Sequence, residues 1–169
     1  MVVDQVYAYY RIIYEQYIKR LKEKSGHSQR LMFPVTVELN PNDHSLVMEI
    51  MDDIKELGFE VESFGSQSVI INGVPVGISN FNEKEIFEDL IEQFKLNRDK
   101  LKLDIHENLA RSIARFTSSR YNKKLQAEEQ GLLIDQLFGC ANPNYTPTGE
   151  PVYTVITLNQ FEHLLNKKA

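Results

Sequence analysis

Two kinds of apolar spacing alternate along this 169-residue chain, and their alternation limits the folds that it can adopt. Between Tyr10 and Leu21, large apolar residues recur every three or four positions, which predicts an amphipathic helix. From Phe33 to Leu39, apolar and polar residues alternate, which predicts a half-buried strand. Both patterns return several times before the C-terminus. We therefore predict an α+β fold with short strands between helices.

Capping and turn residues mark where these elements begin and end. An Asp, Asn or Thr before an apolar helical pattern accepts hydrogen bonds from the first free N–H groups of the helix. Asn72-Gly73 is typical of a tight turn between strands, and the polar segment 97–102 is interpreted as a connector. Helix starts are predicted at Asp4, Asn40, Asn82, Asp104 and Thr157, and helix ends at Gly26, Gly58 and Gly139.

These boundaries divide the chain into two predicted lobes. Residues 34–96 form a compact inserted α/β lobe, and the two ends, 1–33 and 97–169, pack together as the other lobe. The abrupt opening Met1-Val2-Val3 is typical of the stub of a strand. We therefore expect the chain to be a fragment of a longer protein.

Charge and cysteine content narrow the class of protein. The net charge of −5 argues against a domain that binds nucleic acid tightly by itself, because that affinity comes mainly from neutralising phosphates. The basic groups are interpreted as solvated helix faces, and a weak DNA-facing role stays open for Arg111 and Arg115. The single cysteine, Cys140, excludes an intramolecular disulfide, and no apolar run approaches the length of a membrane span. We predict a cytoplasmic protein.

Several short motifs follow one another in an order that is similar to that of a known family. Asp4-Gln5 opens the first helix, which continues Arg11-Ile12-Ile13-Tyr14-Glu15. Near the C-terminus, Thr146-Pro147-Thr148-Gly149-Glu150-Pro151 precedes a strand and a final helix. These segments resemble the D-Q-H-A-x-x-E-R-x-x-Y-E motif and the C-P-H-G-R-P loop of MutL-type DNA mismatch-repair proteins. The resemblance to the MutL C-terminal domain covers essentially the whole chain.

The resemblance implies a role in assembly. In this family the two ends of the segment form a dimerisation lobe and the middle forms an external, regulatory lobe, which corresponds here to 1–33 with 97–169 and to 34–96. The resemblance further implies a homodimer that holds together two N-terminal ATPase arms, where ATP and magnesium would bind outside this chain. The implied partners are a MutS-type mismatch sensor and the DNA sliding clamp.

The same resemblance indicates which chemistry is missing from the first helix. Active MutL endonucleases gather carboxylates, imidazoles and cysteine around divalent metal, which generates the attacking hydroxide. Asp4 and Glu15 keep the first and last acids of the helix motif. Val6 stands at its histidine position and Tyr10 at its first glutamate position.

The later motifs have also lost their ligands. Thr146 and Thr148 replace the cysteine and histidine of the loop, and the A-C-R motif fits 114–116 with Arg115 at the cysteine position. The four histidines lack paired helical spacing, and there is no second cysteine. We therefore expect no catalytic residue, no metal ligand set and no cofactor in this chain. Two alternatives stay open: a DNA-nicking, metal-dependent endonuclease with a degraded site, and a dimerisation module unrelated to repair.

One further segment has a candidate binding role. Gln29, Leu31 and Pro34 fit the pattern Q-x-L-x-x-P, which resembles the family's binding motif for the sliding clamp. An extended stretch would offer Leu31 and Phe33 to an apolar pocket while Gln29 makes hydrogen bonds. Alternatively, the segment is a linker whose apolar side chains pack in this protein's own core. Exposure of those side chains distinguishes the two interpretations.

Overall fold

The computed structural model describes residues 1–78, 82–101, 104–121 and 124–165, which form long helices and mostly short strands. Within these ranges, no helix combines the length and the apolar character that a membrane-spanning helix needs. In chain order the elements are β1 (Val2–Val3), α1 (Gln5–Glu23), β2 (Ser28–Glu38), α2 (Pro41–Glu49), α3 (Met51–Glu56), β3 (Glu60–Ser63), β4 (Ser68–Pro75), α4 (Glu83–Leu101), α5 (Ile105–Ser119), α6 (Ala127–Phe138), β5 (Tyr153–Thr154) and α7 (Leu158–Leu165).

In the part of the chain that the structure describes, the strands form two antiparallel sheets, which together with the helices confirm the predicted α+β class. β1 pairs with β5, with Val2 opposite Thr154 and Val3 opposite Tyr153. The predicted strand stub at the start of the chain is therefore a real strand, paired with a segment near the C-terminus. The other sheet has the order β2-β4-β3, with β4 in the middle.

Local capping places the helix starts as predicted. Asp4 accepts a hydrogen bond from the backbone N–H of Tyr7 at 2.9 Å. At the start of α7, the Gln160 N–H donates to Thr157 Oγ1 at 3.3 Å, and the Thr157 N–H donates to Gln160 Oε1 at 2.9 Å. α1 ends at Glu23, slightly earlier than predicted, and the capping residue Lys24 that follows takes a left-handed φ of 51°. Short-range hydrogen bonding thus fixes the ends of both helices.

The predicted turn at Asn72-Gly73 is wrong, because β4 continues through both residues to Pro75. Gly73 lies opposite Arg30 in β2 and opposite Glu60 in β3, so the strand is paired on both sides. A Cβ atom at this position would lie 2.4 Å from the Ser28 Oγ. Glycine is therefore favoured here by the close approach of the strands.

The predicted connector over 97–102 is wrong as far as residue 101, because α4 runs without a break from Glu83 to Leu101. Residue 102 lies outside the described residues. The segment is polar but contains neither glycine nor proline, so its propensity does not oppose a helix. Asn97 Nδ2 donates to Ser112 Oγ of α5 at 3.4 Å, so this polar side chain contacts a neighbouring helix.

Among the described residues, two hydrophobic clusters form the core, and α1 contributes to both. The larger cluster combines the three-stranded sheet with α1 to α5 and includes Tyr17 and Leu21 of α1. The smaller cluster combines Ala8 and Ile12 of α1 with side chains of α6 and of the C-terminal segment. The predicted lobe boundaries, 33/34 and 96/97, fall inside β2 and α4. The division into a dimerisation lobe and an external lobe stays a prediction.

Candidate functional site

A cavity of about 240 Å³ lies beside the start of α1. Its walls come from three parts of the chain that are far apart in sequence: the first turns of α1, the C-terminal part of α5, and the loop between α6 and β5. The lining residues are Val6, Tyr7, Tyr10, Arg115, Ser118, Ser119, Thr148 and Glu150.

Four of the lining residues stand at motif positions that carry metal ligands in the endonucleases that this chain resembles. They are Val6, Tyr10, Arg115 and Thr148. The fold therefore brings into one place positions that only the resemblance had related to one another. What they can do chemically depends on the side chains that now occupy them.

Tyr10 forms a buried part of the cavity wall, with 5% of its surface exposed. Burial raises the pKa of Tyr10 above its ordinary value of 10.0, and a hydrogen bond with Thr148 and the charges of Arg111 and Arg115 oppose that shift. The phenol is therefore neutral at neutral pH. A neutral hydroxyl is a poor substitute for the carboxylate that a divalent cation prefers.

Hydrogen bonds among its own side chains hold the loop that carries Thr146, Thr148 and Glu150. The Thr148 hydroxyl donates to Glu150 Oε2 at 2.6 Å, and the Thr146 hydroxyl donates to the same oxygen. The backbone N–H of Thr146 donates to the Glu150 carbonyl at 2.8 Å. The hydroxyls of Thr146 and Thr148 lower the pKa of Glu150 below its ordinary value of 4.5. The carboxylate in the cavity wall is thus satisfied by its own loop.

The two acids retained from the helix motif have structural roles. Asp4 caps α1. Glu15 accepts hydrogen bonds from the backbone N–H of Ala141 at 2.7 Å and of Asn142 at 3.2 Å. Arg11 Nη1 lies 3.5 Å from Glu15 Oε1. These contacts tie α1 to the segment after α6, and neither acid is among the residues that line the described cavity.

The divalent metal of the active endonucleases does not fit this set of side chains. Such a metal needs several carboxylates, imidazoles or thiolates that converge on it. Here an aliphatic side chain (Val6), a phenol and a threonine face the cavity at ligand positions. The guanidinium of Arg115 stands at a fourth ligand position and repels a cation. Glu150 supplies a single carboxylate, which is already hydrogen-bonded within its loop.

The two arginines predicted to face DNA have different surroundings. Arg111 Nη2 lies 2.9 Å from Glu107 Oε1, and its side chain is 15% exposed. Arg115 is exposed and lines the cavity. Arg115 is therefore the more accessible of the two to a phosphate, and a DNA-facing role stays a prediction for both.

The candidate clamp-binding residues Gln29, Leu31, Phe33 and Pro34 all lie in β2. The register of β2 against β4 shifts between Arg30 and Val35, which covers most of this segment. Phe33 is 79% exposed, whereas Leu31 packs against the larger core cluster. The segment thus combines features of both interpretations, and clamp binding stays a prediction.

Sequence reasoning missed a cluster formed by Asp53 and Glu56 of α3 and His106 of α5. His106 Nε2 lies 3.1 Å from Asp53 Oδ1 and 3.7 Å from Glu56 Oε2. The sequence does show that the two acids are one helical turn apart and can therefore lie on the same face of a helix. The histidine is 53 positions from Asp53, and only the packing of α3 against α5 brings them together.

Comparison with known proteins agrees with the resemblance seen in the sequence. The family described as MutL C terminal dimerisation domain matches residues 1–125. The chain is 38% identical over 168 residues to the DNA mismatch repair protein MutL of Chlorobium phaeovibrioides. It is 36% identical over 168 residues to the MutL proteins of Chlorobium phaeobacteroides and Prosthecochloris aestuarii. Each match covers 99% of this chain and 27% of the relative, so the chain spans about a quarter of the length of these relatives.

Proposed function

This chain belongs to the family of MutL C-terminal dimerisation domains, and on that premise we propose that it is a homodimerisation module of DNA mismatch repair without nuclease activity of its own. The main support for the absence of nuclease activity is the set of residues that line the cavity beside α1. Its ligand positions converge, but they carry Val6, Tyr10, Arg115 and Thr148. Motif positions that converge without metal-ligand side chains favour a role in assembly over one in catalysis.

The alternative function, metal-dependent nicking of DNA, is disfavoured by the same geometry. Asp4 and Glu15 are the acids that such a site would reuse, yet both are engaged in holding the backbone of this chain. Rebuilding a metal centre around them would require breaking the α1 cap and the contact with the segment after α6. The dimerisation role requires no such rearrangement.

Exposed apolar side chains near the C-terminus support a contact between two copies of this chain. Val155 is 66% exposed, Leu158 79% and Phe161 52%, and all three lie in the short stretch that follows β5. Large apolar groups concentrated on a surface are typical of protein interfaces. In a two-fold symmetric dimer the same patch occurs on both subunits, so it can cover its own copy. We place part of the dimer contact on this patch.

The role proposed for the dimer is to hold two N-terminal ATPase arms close together in the cytoplasm. The relatives are about four times as long as the matched segment, which leaves room for such arms. ATP and magnesium belong to that N-terminal part. Tethering raises the effective concentration of one arm for the other, so the arms close around DNA more readily. A MutS-type mismatch sensor and the DNA sliding clamp, the latter through Gln29 to Pro34, are the proposed partners.

Sedimentation equilibrium tests the dimer and the proposed contact together. We expect a species of twice the 19.6 kDa chain mass, with or without manganese. Leu158→Asp should weaken dimerisation at least about 30-fold, because a buried interface anchor contributes roughly 2 kcal/mol or more. Phe33→Asp is the matched control, since Phe33 is equally exposed but lies in β2. A monomeric parent chain would refute the proposal, and equal weakening by both variants would refute the location of the contact.

A further inference from the structure

Three side chains with metal-ligand chemistry converge where α3 packs against α5, outside the cavity beside α1. Asp53 and Glu56 point from α3, and His106 points from the first turn of α5. One ligand atom from each residue lies within 4.8 Å of the other two. The side chains are partly buried, with 24%, 24% and 34% exposed for Asp53, Glu56 and His106. A shallow site that solvent and ions can reach is therefore formed by two different helices.

The spacing of the ligand atoms suits a small divalent cation. Bonds of roughly 2.1 Å from zinc to nitrogen and oxygen place neighbouring tetrahedral ligands about 3.4 Å apart. The distances from His106 Nε2 to Asp53 Oδ1 and to Glu56 Oε2 are 3.1 and 3.7 Å, one on each side of that value. Small side-chain rotations would therefore be enough to bind an ion.

The charge around the cluster also favours a cation. Asp53 and Glu56 bring two negative charges, and Asp52 is close enough to act on the same neighbouring lysine, Lys24. Lys24 Nζ lies 2.8 Å from Glu56 Oε1, and it compensates one of these charges. The other carboxylate oxygen of Glu56 is the one directed at His106. Lys24 thus orients the carboxylate in the way that outer hydrogen bonds orient metal ligands.

From this arrangement we propose that Asp53, Glu56 and His106 form a binding site for a zinc-like divalent cation that joins α3 to α5. Two carboxylates and one imidazole supply three ligands, and water completes the coordination. The ion would link a six-residue helix beside the sheet to α5, whose other end lines the cavity beside α1. The site is structural in character and is independent of the endonuclease motif positions.

The competing explanation is an ion pair in which protonated His106 bridges the two carboxylates without metal. Metal binding and ion pairing make different predictions, because only the first needs an added cation and a neutral imidazole. Cobalt(II) reports on metal binding by its visible absorption. It also distinguishes this site from Cys140, because bound thiolate adds a charge-transfer band in the near ultraviolet.

Titration of the chelator-treated chain with zinc and cobalt tests the proposal. We expect one ion per chain, nitrogen and oxygen ligands without a thiolate band, and a more than about 100-fold loss of affinity in His106→Gln and in Asp53→Asn. His163→Gln is the matched control, since His163 is an exposed helical histidine, and it should bind as the parent does. Absence of binding in the parent, or unchanged binding in both cluster variants, would overturn the proposal.

A second measurement covers the case in which the cluster variants fold poorly. Proton and nitrogen NMR signals of the histidine rings are followed in the parent chain as zinc is added. We expect a single histidine ring, the one missing from the spectrum of His106→Gln or assigned through its contacts with α3, to shift with one equivalent. A shift confined to any other histidine, or to none, would overturn the proposal.

Discussion

Arg11 donates a hydrogen bond from Nε to the backbone carbonyl oxygen of Tyr145 at 2.6 Å, although the two residues are 134 positions apart. Together with Glu15, which accepts from the backbone N–H of Ala141 and Asn142, it anchors the segment after α6 on α1. The helix that resembles the family's metal-binding motif thus supports a loop.

Replacing Arg11 by alanine should lower the free energy of unfolding by about 2 kcal/mol, because the Tyr145 carbonyl loses its charged donor and Glu15 loses its cation. Urea unfolding at pH 7 measures the change. Lys19→Ala serves as the control on the same helix, since the Lys19 side chain is 74% exposed, and it should alter stability by less than about 0.5 kcal/mol. Equal effects of both substitutions would contradict the anchoring role of Arg11.

Cys140 should react slowly with iodoacetamide. Burial, and secondarily the charge of Glu15, raises the pKa of Cys140 to about 11, so little thiolate is present at pH 8. We expect alkylation of the folded chain to be on the order of 100-fold slower than alkylation of the same chain unfolded in urea. Equal rates in the two states would show that the thiol is not held in this environment.

Glu150 should make stability depend on acidity. Its pKa is depressed below 4.5 in the folded chain by the hydroxyls of Thr146 and Thr148, so its contribution to stability is fully present above about pH 4.5 and is lost as the pH falls through the folded pKa. Glu150→Gln should therefore be less stable than the parent at pH 7 and approach it at pH 3. Urea unfolding at both pH values measures the two differences. A difference that stays constant with pH would contradict the loop network.

Substitutions of Phe33 and Leu31 should distinguish a role in clamp binding from a role in packing of the core. Phe33 is 79% exposed, so Phe33→Ala should leave stability within about 0.5 kcal/mol of the parent while weakening binding to the sliding clamp. Leu31 packs against the core, so Leu31→Ala should also lower the stability, by roughly 1 kcal/mol. Thermal unfolding measures the stability of the two variants, and binding to sliding clamp immobilised on a surface measures their affinity for it. Full clamp binding by Phe33→Ala would remove this residue from the proposed motif.

Local interactions made the helix starts predictable from sequence. Asp4 and Asp104 cap helices through hydrogen bonds that span three residues, and the pair Thr157 and Gln160 does the same at α7. The turn predicted at Asn72-Gly73 failed because β4 is paired on both sides, and this pairing overrides a local turn preference. Local chemistry therefore determines where elements begin more reliably than whether a strand continues.

For the candidate sites, too, the sequence does not show which distant residues meet. The resemblance related Val6, Tyr10, Arg115 and Thr148 to one another, and their convergence on one cavity follows only from the packing of α1, α5 and the loop before β5. The contact of His106 with α3 has no counterpart in sequence spacing, because it depends on where two helices cross. The sequence therefore predicts residue types and short spacings within a helix. Which distant side chains meet at one site depends on how the helices pack.

A plasmid-nicking assay with manganese on the purified chain, including Asp4→Asn and Glu15→Gln, tests most directly whether the chain lacks nuclease activity. We predict that supercoiled plasmid stays intact with the parent chain and with both variants, because Tyr10 and Arg115 occupy ligand positions in the cavity. We also expect Glu15→Gln to lower the stability of the fold, since this carboxylate holds the backbone at Ala141. Manganese-dependent nicking that is lost in Asp4→Asn would show instead that the chain has a working nuclease site.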